Sequence, residues 1–236
     1  MKIDVILSPP EIDLLPQRDL STATCIVFDV LRATSSIITA LAGGASEIYP
    51  VCTIEAALEL KKRIPEALLG GERHGNRIDG FDLGNSPSEY RETGGRKIIT
   101  TTTNGTVALR ACENAQEILA GALLNMDALA TRLDCEQPEN VILVCAGTFR
   151  DLAIEDVYAA GMLCSRFAGE EMTDAAQIAL ATYKNHGSDH LGLLMRAKNG
   201  RVLVRNGRES DVRWCAQVSI IDQIGIMIDG NIKAAT

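Results

Sequence analysis

The sequence of 236 residues predicts an α/β fold with a mainly parallel sheet covered by helices on both faces. Short apolar runs alternate with helix-like segments from residue 23 to residue 168, which is typical of strands joined by crossover helices. No linker rich in proline, glycine or serine divides the chain, and there is no internal repeat or low-complexity tract. We therefore predict one domain over residues 1–236, with a sheet that is mixed because two late segments add to it.

The strands are predicted from apolar runs that end at charged or turn-forming residues. Residues 23–30 and 140–146 are the most continuous of these runs, and the first of them ends in the carboxylate of Asp29. The two late segments are expected to pair in an antiparallel sense. The predicted strands are residues 2–7, 23–30, 47–51, 67–70, 97–101, 117–120, 140–146, 212–218 and 225–228.

The helices are predicted from apolar residues at helical spacing and from residues that start or stop a helix. Thr34 or Ser35 can cap a helix over residues 35–42, and the Gly43-Gly44 pair ends it. Pro65 ends a helix over residues 54–63 in the same way. The remaining predicted helices are a short one ending near residue 112 and those over residues 125–133, 154–167, 175–183 and 189–196.

Composition excludes several classes of protein. A net charge of −8 and a pI of about 5.0 disfavour nucleic acid and anionic membranes as partners. Seven cysteines without a CxxC pair are typical of a reducing compartment rather than of a zinc cluster, so we expect a cytoplasmic protein. No apolar run approaches the roughly 20 residues of a membrane span. The oligomeric state stays open, a homo-oligomer included.

Polar residues follow four of the predicted strands, in the turns at residues 29–36, 71–73, 101–106 and 146–156. In an open parallel sheet the carboxyl ends of the strands meet at one edge, where ligands bind. We therefore expect these four turns to form a single site.

The first turn places Asp29 directly after a buried strand and Arg32 three residues later. A carboxylate suits Mg²⁺, which takes one or two carboxylates together with substrate oxygens, and the arginine fork suits an oxyanion. An ion pair that only stabilises the end of the strand is the alternative. Haloacid-type phosphatases are rejected, because Leu31 occupies the position of their second aspartate.

The turn at residues 101–106 follows a strand that ends in four consecutive threonines, and an Asn-Gly-Thr sequence then starts a helix. Hydroxyls and backbone N–H groups aimed at one point are typical of an anion cradle, and a simple helix cap is the alternative. The turn lacks the glycine spacing and the lysine of a Walker A loop. Cys145 and Arg150 are one residue too close together for a tyrosine-phosphatase loop, so we interpret Cys145 as a core residue.

Glu155 and Asp156 open a predicted helix and point about 100° apart around it. One of them can bind metal or act as a base, although acids near a helix start are also favourable without any function. The three histidines show no HxH or HxxxH pairing, so a histidine metal site is not expected.

Taken together, these motifs resemble the 2-phosphosulfolactate phosphatase family, often called ComB-like. The resemblance rests on FDVLRATSS, GGERHGNRIDGFDLGNSPSEY, TTTNGTVAL, CAG followed by IEDVYAAG, and DVRWC, which cover nearly the whole chain in order. It implies a three-layer α/β/α fold and a Mg²⁺-dependent acid phosphatase. Such an enzyme hydrolyses (R)-2-phospho-3-sulfolactate to 3-sulfolactate and phosphate, a step of coenzyme M biosynthesis.

The resemblance also implies a role for each matching residue. The catalytic candidates are Asp29, Arg32, Glu155 and Asp156, and the candidate Mg²⁺ ligands are Asp29, Glu72 and Asp82. The candidate substrate-binding residues are Thr34, Ser35, Arg73, Asn85, Ser86, Thr102, Thr103, Asn104, Gly105, Thr106 and Gly147.

The expected partner is a small anionic phosphorylated substrate, whose sulfonate or carboxylate would meet Arg73 or Arg150. A phosphatase for another small anionic phosphate monoester is one alternative, and a non-catalytic binder of a phosphorylated or sulfonated metabolite is another. An enzyme of the same fold that acts on a carboxylate is a third. A covalent phosphoenzyme, formed on Asp29 or on a hydroxyl, also stays open.

Overall fold

A computed structural model describes residues 1–235, which form an eleven-stranded mixed sheet with helices on both faces. The strands are β1 (Lys2–Ile6), β2 (Ala23–Phe28), β3 (Glu47–Pro50), β4 (Leu68–Arg73), β5 (Asn76–Arg77), β6 (Lys97–Thr101), β7 (Glu117–Gly121), β8 (Asn140–Cys145), β9 (Glu171–Met172), β10 (Ile224–Ile228) and β11 (Asn231–Ala235). The α/β class and the mostly parallel sheet predicted from the sequence are confirmed.

The α-helices of this part of the chain vary in length from one turn to more than three. They are α1 (Pro9–Ile12), α2 (Ala33–Ala42), α3 (Ile54–Arg63), α4 (Gly105–Ala111), α5 (Met126–Glu136), α6 (Ile154–Arg166), α7 (Asp174–His186), α8 (His190–Arg196), α9 (Lys198–Arg205) and α10 (Glu209–Cys215). Among residues 1–235 we find no helix whose length and apolarity would let it cross a membrane.

The sheet consists of two parallel halves joined by an antiparallel hairpin. The strand order is β5-β4-β6-β3-β11-β10-β7-β2-β8-β1-β9. Parallel pairing connects β4, β6 and β3 in one half and β7, β2, β8, β1 and β9 in the other. The hairpin of β10 and β11 pairs antiparallel with β7 and β3. The last strands of the chain therefore close the centre of the sheet rather than extend its edge.

Strand β2 lies between two apolar layers, and all four residues from Cys25 to Phe28 are fully buried. Ile26 and Phe28 pack with residues of α5, α6 and α7, whereas Cys25 and Val27 pack with residues of α2 and α4. A strand covered on both faces needs apolar side chains at every position, which explains the continuous apolar run.

The sequence prediction failed in two late segments, of which one was predicted wrongly and one was not predicted. Residues 212–218 were expected to form a strand, but Glu209–Cys215 is helix α10, with Val212 and Cys215 buried at helical spacing. Helix α9 was not predicted, because Gly200 lies inside it and glycine disfavours helices. A Cβ at Gly200 would lie 1.7 Å from the carbonyl oxygen of Leu194, so this glycine permits α9 to approach the end of α8.

Helix α6 carries Glu155 and Asp156 in its first turn, and its position depends on a close contact with α7. A Cβ built on Gly161 would lie 1.9 Å from the carbonyl oxygen of Ala179, so the two helices meet backbone to backbone. Only glycine fits at this crossing. The contact thus fixes the helix that brings two acidic residues to the sheet edge.

We expect Gly161→Ala to lower the free energy of unfolding by about 1–3 kcal/mol, because the added methyl group forces α6 and α7 apart. In an unobstructed helix the same change would stabilise the protein by about 1 kcal/mol, so the sign of the effect is informative. Urea unfolding followed by circular dichroism measures it.

The matched control is Gly169→Ala, where an added Cβ would have no heavy atom within 4 Å. We expect this variant to stay within about 0.5 kcal/mol of the wild type. A Gly161→Ala protein as stable as the control would contradict the backbone contact.

Candidate functional site

One pocket lies where the four polar turns meet, beyond the carboxyl ends of β2, β4, β6 and β8. Its volume is about 160 Å³. The residues that line it are Asp29, Leu31, Arg32, Glu72, His74, Gly75, Asn85, Thr103, Asn104, Gly147, Thr148, Phe149, Lys198, Asn199, Val202 and Leu203. The structure thus brings the four turns together and adds residues of α9 as an outer wall.

Asp29 is buried at the floor of the pocket and holds the start of α2. Its Oδ1 accepts the Ala33 N–H at 3.1 Å, and its own N–H donates to Thr34 Oγ1 at 2.9 Å. The Ser35 hydroxyl donates to the carbonyl oxygen of Val30 at 2.8 Å. Thr34 and Ser35 therefore lie inside the helix and behind the pocket. The prediction that one of them caps the helix is wrong. The carboxylate of Asp29 instead accepts the N–H of Ala33, the first residue of α2.

Helix α4 begins directly against Asp29. A Cβ on Gly105 would lie 2.6 Å from Asp29 Oδ2 and 2.6 Å from Ala33 Cβ, so a larger residue would push the two turns apart. Thr102 and Thr106 hydrogen-bond each other through backbone N–H and hydroxyl groups, both at 3.1 Å. Their hydroxyls therefore stabilise the turn rather than line the pocket.

Thr103 and Glu72 connect the turn after β6 to the end of β4. The Thr103 N–H donates to Glu72 Oε1 at 2.8 Å, and Glu72 Oε2 accepts the Gly75 N–H at 2.7 Å. Thr103 Oγ1 is buried and has no hydrogen-bond partner within residues 1–235. Because buried hydroxyls usually have a hydrogen-bond partner, the Thr103 hydroxyl is a candidate for binding a ligand in the pocket that Thr103 lines.

Asn104 ties the start of α4 to the loop after β8. Its Nδ2 donates to the carbonyl oxygens of Ala146 and Phe149 at 2.9 and 3.1 Å, and its Oδ1 accepts the Phe149 N–H at 2.9 Å. Phe149 has a left-handed backbone with φ of 55° and stacks on His74, with 5.7 Å between ring centroids. The amide of Asn104 therefore shapes the mouth of the pocket.

Arg32 is buried and paired. Its Nη1 lies 2.6 Å from Asp211 Oδ2, and its Nη2 donates to the carbonyl oxygen of Gly75 at 3.3 Å. The Ser86 hydroxyl donates to Asp211 Oδ1 at 2.6 Å. Ser86 thus supports the arginine from outside the pocket. Sequence reasoning missed Asp211, although this acid precedes buried Val212 in the DVRWC motif.

Glu155 is buried behind the pocket wall. Its Oε1 accepts Asn199 Nδ2 at 2.8 Å, and the same nitrogen lies 2.7 Å from Thr148 Oγ1. One amide of α9 therefore links the loop after β8 to the first turn of α6.

Asp156 connects the segments that follow two strands. Its Oδ1 accepts the Val30 N–H at 2.8 Å, and its Oδ2 accepts the Gly147 N–H at 2.9 Å. Gly147 has φ of 72°, and a Cβ there would lie 2.5 Å from the carbonyl oxygen of Asp151. Both carboxylate oxygens of Asp156 are therefore bound to the backbone.

The site carries an excess of buried negative charge. The pKa of Asp29 is raised to about 7, mainly by burial and additionally by the charges of Glu72 and Glu155, while Arg32 acts in the opposite direction. Burial also raises the pKa of Glu155. The pKa of Asp156 is raised by burial first and then by the charges of Asp29 and Glu155. These carboxylates therefore favour a cation or a proton close by.

The structure does not bring Asp82 to the pocket as a third metal ligand. Asp82 is exposed, and its Oδ2 accepts the Leu69 N–H at 2.8 Å at the start of β4. Asn85 from the same loop does line the pocket, and its carbonyl oxygen accepts the Ser36 hydroxyl at 3.0 Å. Among residues 1–235, no group of three or more histidine, cysteine, aspartate and glutamate side chains forms a potential metal site.

The two arginines expected to meet a second anionic group also lie outside the pocket. Arg73 donates to Thr101 Oγ1 at 2.8 Å and to the carbonyl oxygen of Cys52 at 3.2 Å. Arg150 is exposed and pairs with Asp13 at 2.7 Å. Both guanidinium groups therefore bind other protein groups.

Sequence reasoning missed the residues that α9 contributes. Lys198, Asn199, Val202 and Leu203 line the pocket, and all four lie in a segment that was left without an element. The spacing of Lys198, Val202 and Leu203 fits one face of a helix, and this pattern was the available signal. The glycine at position 200 concealed it.

Comparisons with known proteins agree with these motifs. A family model described as 2-phosphosulpholactate phosphatase matches residues 11–230. A probable 2-phosphosulfolactate phosphatase of Carboxydothermus hydrogenoformans is 38% identical over 227 residues, covering 95% of this chain and 92% of that protein. One of Clostridium acetobutylicum is 38% identical over 239 residues, covering 98% and 100%, and one of Deinococcus radiodurans is 39% identical over 226 residues, covering 93% of each. The chain therefore belongs to the 2-phosphosulfolactate phosphatase family.

Proposed function

We propose that the protein is a Mg²⁺-dependent phosphatase that hydrolyses (R)-2-phospho-3-sulfolactate to 3-sulfolactate and phosphate, the reaction type of coenzyme M biosynthesis. The observation that carries the proposal is the pocket in which Asp29, Glu72, Arg32 and Thr103 converge at the sheet edge. The names of the relatives supply the substrate. Since these relatives match nearly the full length of the chain, we extend their named activity to it.

The residues of the pocket fit a Mg²⁺ ion. Asp29 and Glu72 line the pocket and would hold it through the lone pairs that their carboxylate oxygens keep beside their hydrogen bonds to backbone N–H groups. The unpartnered Thr103 Oγ1 lies in the same pocket. Two carboxylates suit Mg²⁺, which keeps several waters and binds substrate oxygens. A phosphate would otherwise be repelled by Asp29, Glu72 and Glu155. When bound, the ion would supply positive charge to the phosphoryl oxygens.

Arg32 is the protein group best placed to stabilise the transferred phosphoryl group. The transition state of phosphoryl transfer spreads charge over its equatorial oxygens, so fixed positive groups are the main catalytic tool. Asp211 and the carbonyl oxygen of Gly75 hold the guanidinium in one orientation before substrate arrives. Such a group needs little reorganisation during the reaction.

Of the two acids in α6, Glu155 is the better candidate for a general base, and from behind the pocket wall it would act through a bridging water. Asp156 uses both oxygens to accept backbone N–H groups, whereas Glu155 accepts a side-chain amide. Its raised pKa, caused by burial, moves it toward the range in which a carboxylate takes up a proton at neutral pH. Asn199 would hold it in position.

We expect Asp29→Asn to lower kcat/KM with Mg²⁺ by roughly 100-fold or more. Mutation of residues that only hydrogen-bond to metal ligands already lowers metal affinity or activity by about 10–100-fold. The fold should survive, since Asn Oδ1 can still accept the Ala33 N–H and burial penalises a charge at this position. Phosphate release from 2-phosphosulfolactate, with Mg²⁺ and with EDTA, measures the effect.

Asp134→Asn, at an exposed position of α5, is the matched control. An Asp29→Asn enzyme of near wild-type activity would place the metal elsewhere. Wild-type protein that binds the ester without hydrolysing it would support the non-catalytic alternative. Radiolabel on the protein after a brief quench would make Asp29 or a hydroxyl a nucleophile.

We expect Asn199→Ala to lower kcat about tenfold, the effect of one hydrogen bond to a charged group, with a smaller change in KM. Steady-state kinetics on 2-phosphosulfolactate separates the two constants. Asn206→Ala, at the exposed end of the same helix, controls for general effects on α9. Equal kinetics in both variants would show that the hydrogen bond from Asn199 does not position Glu155 for the reaction.

A further inference from the structure

We propose that Lys198 is a specificity-determining residue that binds one of the two anionic groups that accompany the phosphate of the substrate, the sulfonate or the carboxylate. This inference rests on the proposed function, because it assigns the part of the same pocket that α9 contributes.

The choice of Lys198 follows from the positive groups of the pocket. Arg32, His74 and Lys198 are the cationic or titratable nitrogen side chains that line it. Arg32 is buried beside Asp211, and the ring of His74 stacks on Phe149. Lys198 is therefore the flexible cation available to a group outside the phosphate position.

The backbone at Lys198 is held firmly by its neighbours. Asn199 contacts Thr148 Oγ1 and Glu155 Oε1, and Gly200 lies against the carbonyl oxygen of Leu194. The first turn of α9 is thus fixed to the loop after β8, to α6 and to α8. A long side chain on such a rigid base reaches a reproducible part of the pocket mouth.

The side chain itself is free to change partner. Lys198 Nζ lies 2.9 Å from Asp151 Oδ2, and the two side chains are 57% and 69% exposed. Exposed ion pairs contribute little to stability, so a substrate anion competes with Asp151 on favourable terms. An anion inside the pocket is also less hydrated than a surface carboxylate, which strengthens its interaction with the ammonium group.

The neighbouring residues of α9 suit the carbon part of such a substrate. Val202 lies one turn after Lys198 on the same face, and Leu203 follows it in the pocket wall. Helix α9 therefore presents a cation beside an apolar surface. This arrangement fits a short carbon skeleton that carries a second anionic group.

Lys198→Gln tests the assignment through the binding of 3-sulfolactate, the product that keeps the second anionic groups and lacks phosphate. We expect its Kd, measured by calorimetry with Mg²⁺, to rise about tenfold or more, as for loss of a hydrogen bond to a charged group. Lys198→Arg should restore binding to within about threefold of the wild type, because it keeps the charge.

Lys184→Gln removes the same charge from an exposed position of α7 and should change the Kd less than twofold. A Lys198→Gln protein whose Kd matches that of Lys184→Gln overturns the assignment, and so does a wild type that does not bind 3-sulfolactate. If the wild type binds 3-sulfolactate through Lys198 but releases no phosphate from the ester, the proposed function fails and the anion site stands.

Discussion

The pocket depends on one buried carboxylate, that of Asp156, which holds the ends of two central strands. One oxygen accepts the Val30 N–H after β2, and the other accepts the Gly147 N–H after β8. No apolar side chain could satisfy both groups, and each buried N–H left unpaired would cost about 1–3 kcal/mol. The burial of a charge is unfavourable, as its raised pKa indicates, and the two hydrogen bonds offset part of that penalty. The position of Asp29 relative to the loop after β8 follows from this link.

The acids around that link carry more negative charge than the neighbouring side chains compensate. Asp29, Glu72 and Glu155 are buried close enough for the charges of the last two to raise the pKa of Asp29. Arg32 offsets these negative charges only in part, because it is also paired with Asp211. A cation beside Asp29 would lower these pKa values and relieve the repulsion. The hydroxyl of Thr103, buried without a partner, belongs to the same arrangement. Strongly perturbed groups of this kind cluster at functional sites.

The sequence predicted those parts of the fold and site that depend on local patterns. The apolar runs of β2 and β8 identify strands buried on both faces, and the polar turns after them follow from the geometry of a parallel sheet. Prediction failed where the hydrogen-bond partner of a side chain does not follow from its residue type. Thr34 is a residue type that often caps helices, but the carboxylate of Asp29 accepts the Ala33 N–H in its place. Asp82 lies in a suitable motif and is turned to the backbone of β4.

The outer wall of the pocket could not be predicted from the sequence for a similar reason. Gly200 contradicts a helix when the sequence is considered alone, and its reason appears only when α8 is packed against it. The inner residues sit at strand ends fixed by the sheet, by Asp156 and by Gly105. The outer residues sit on α9, which is attached through Gly200, the side-chain amide of Asn199 and the buried side chain of Leu203. Because the exposed positions of α9 take no part in these attachments, they can vary without disturbing the strand ends. The groups proposed for chemistry and those proposed for specificity thus have separate structural origins in this fold.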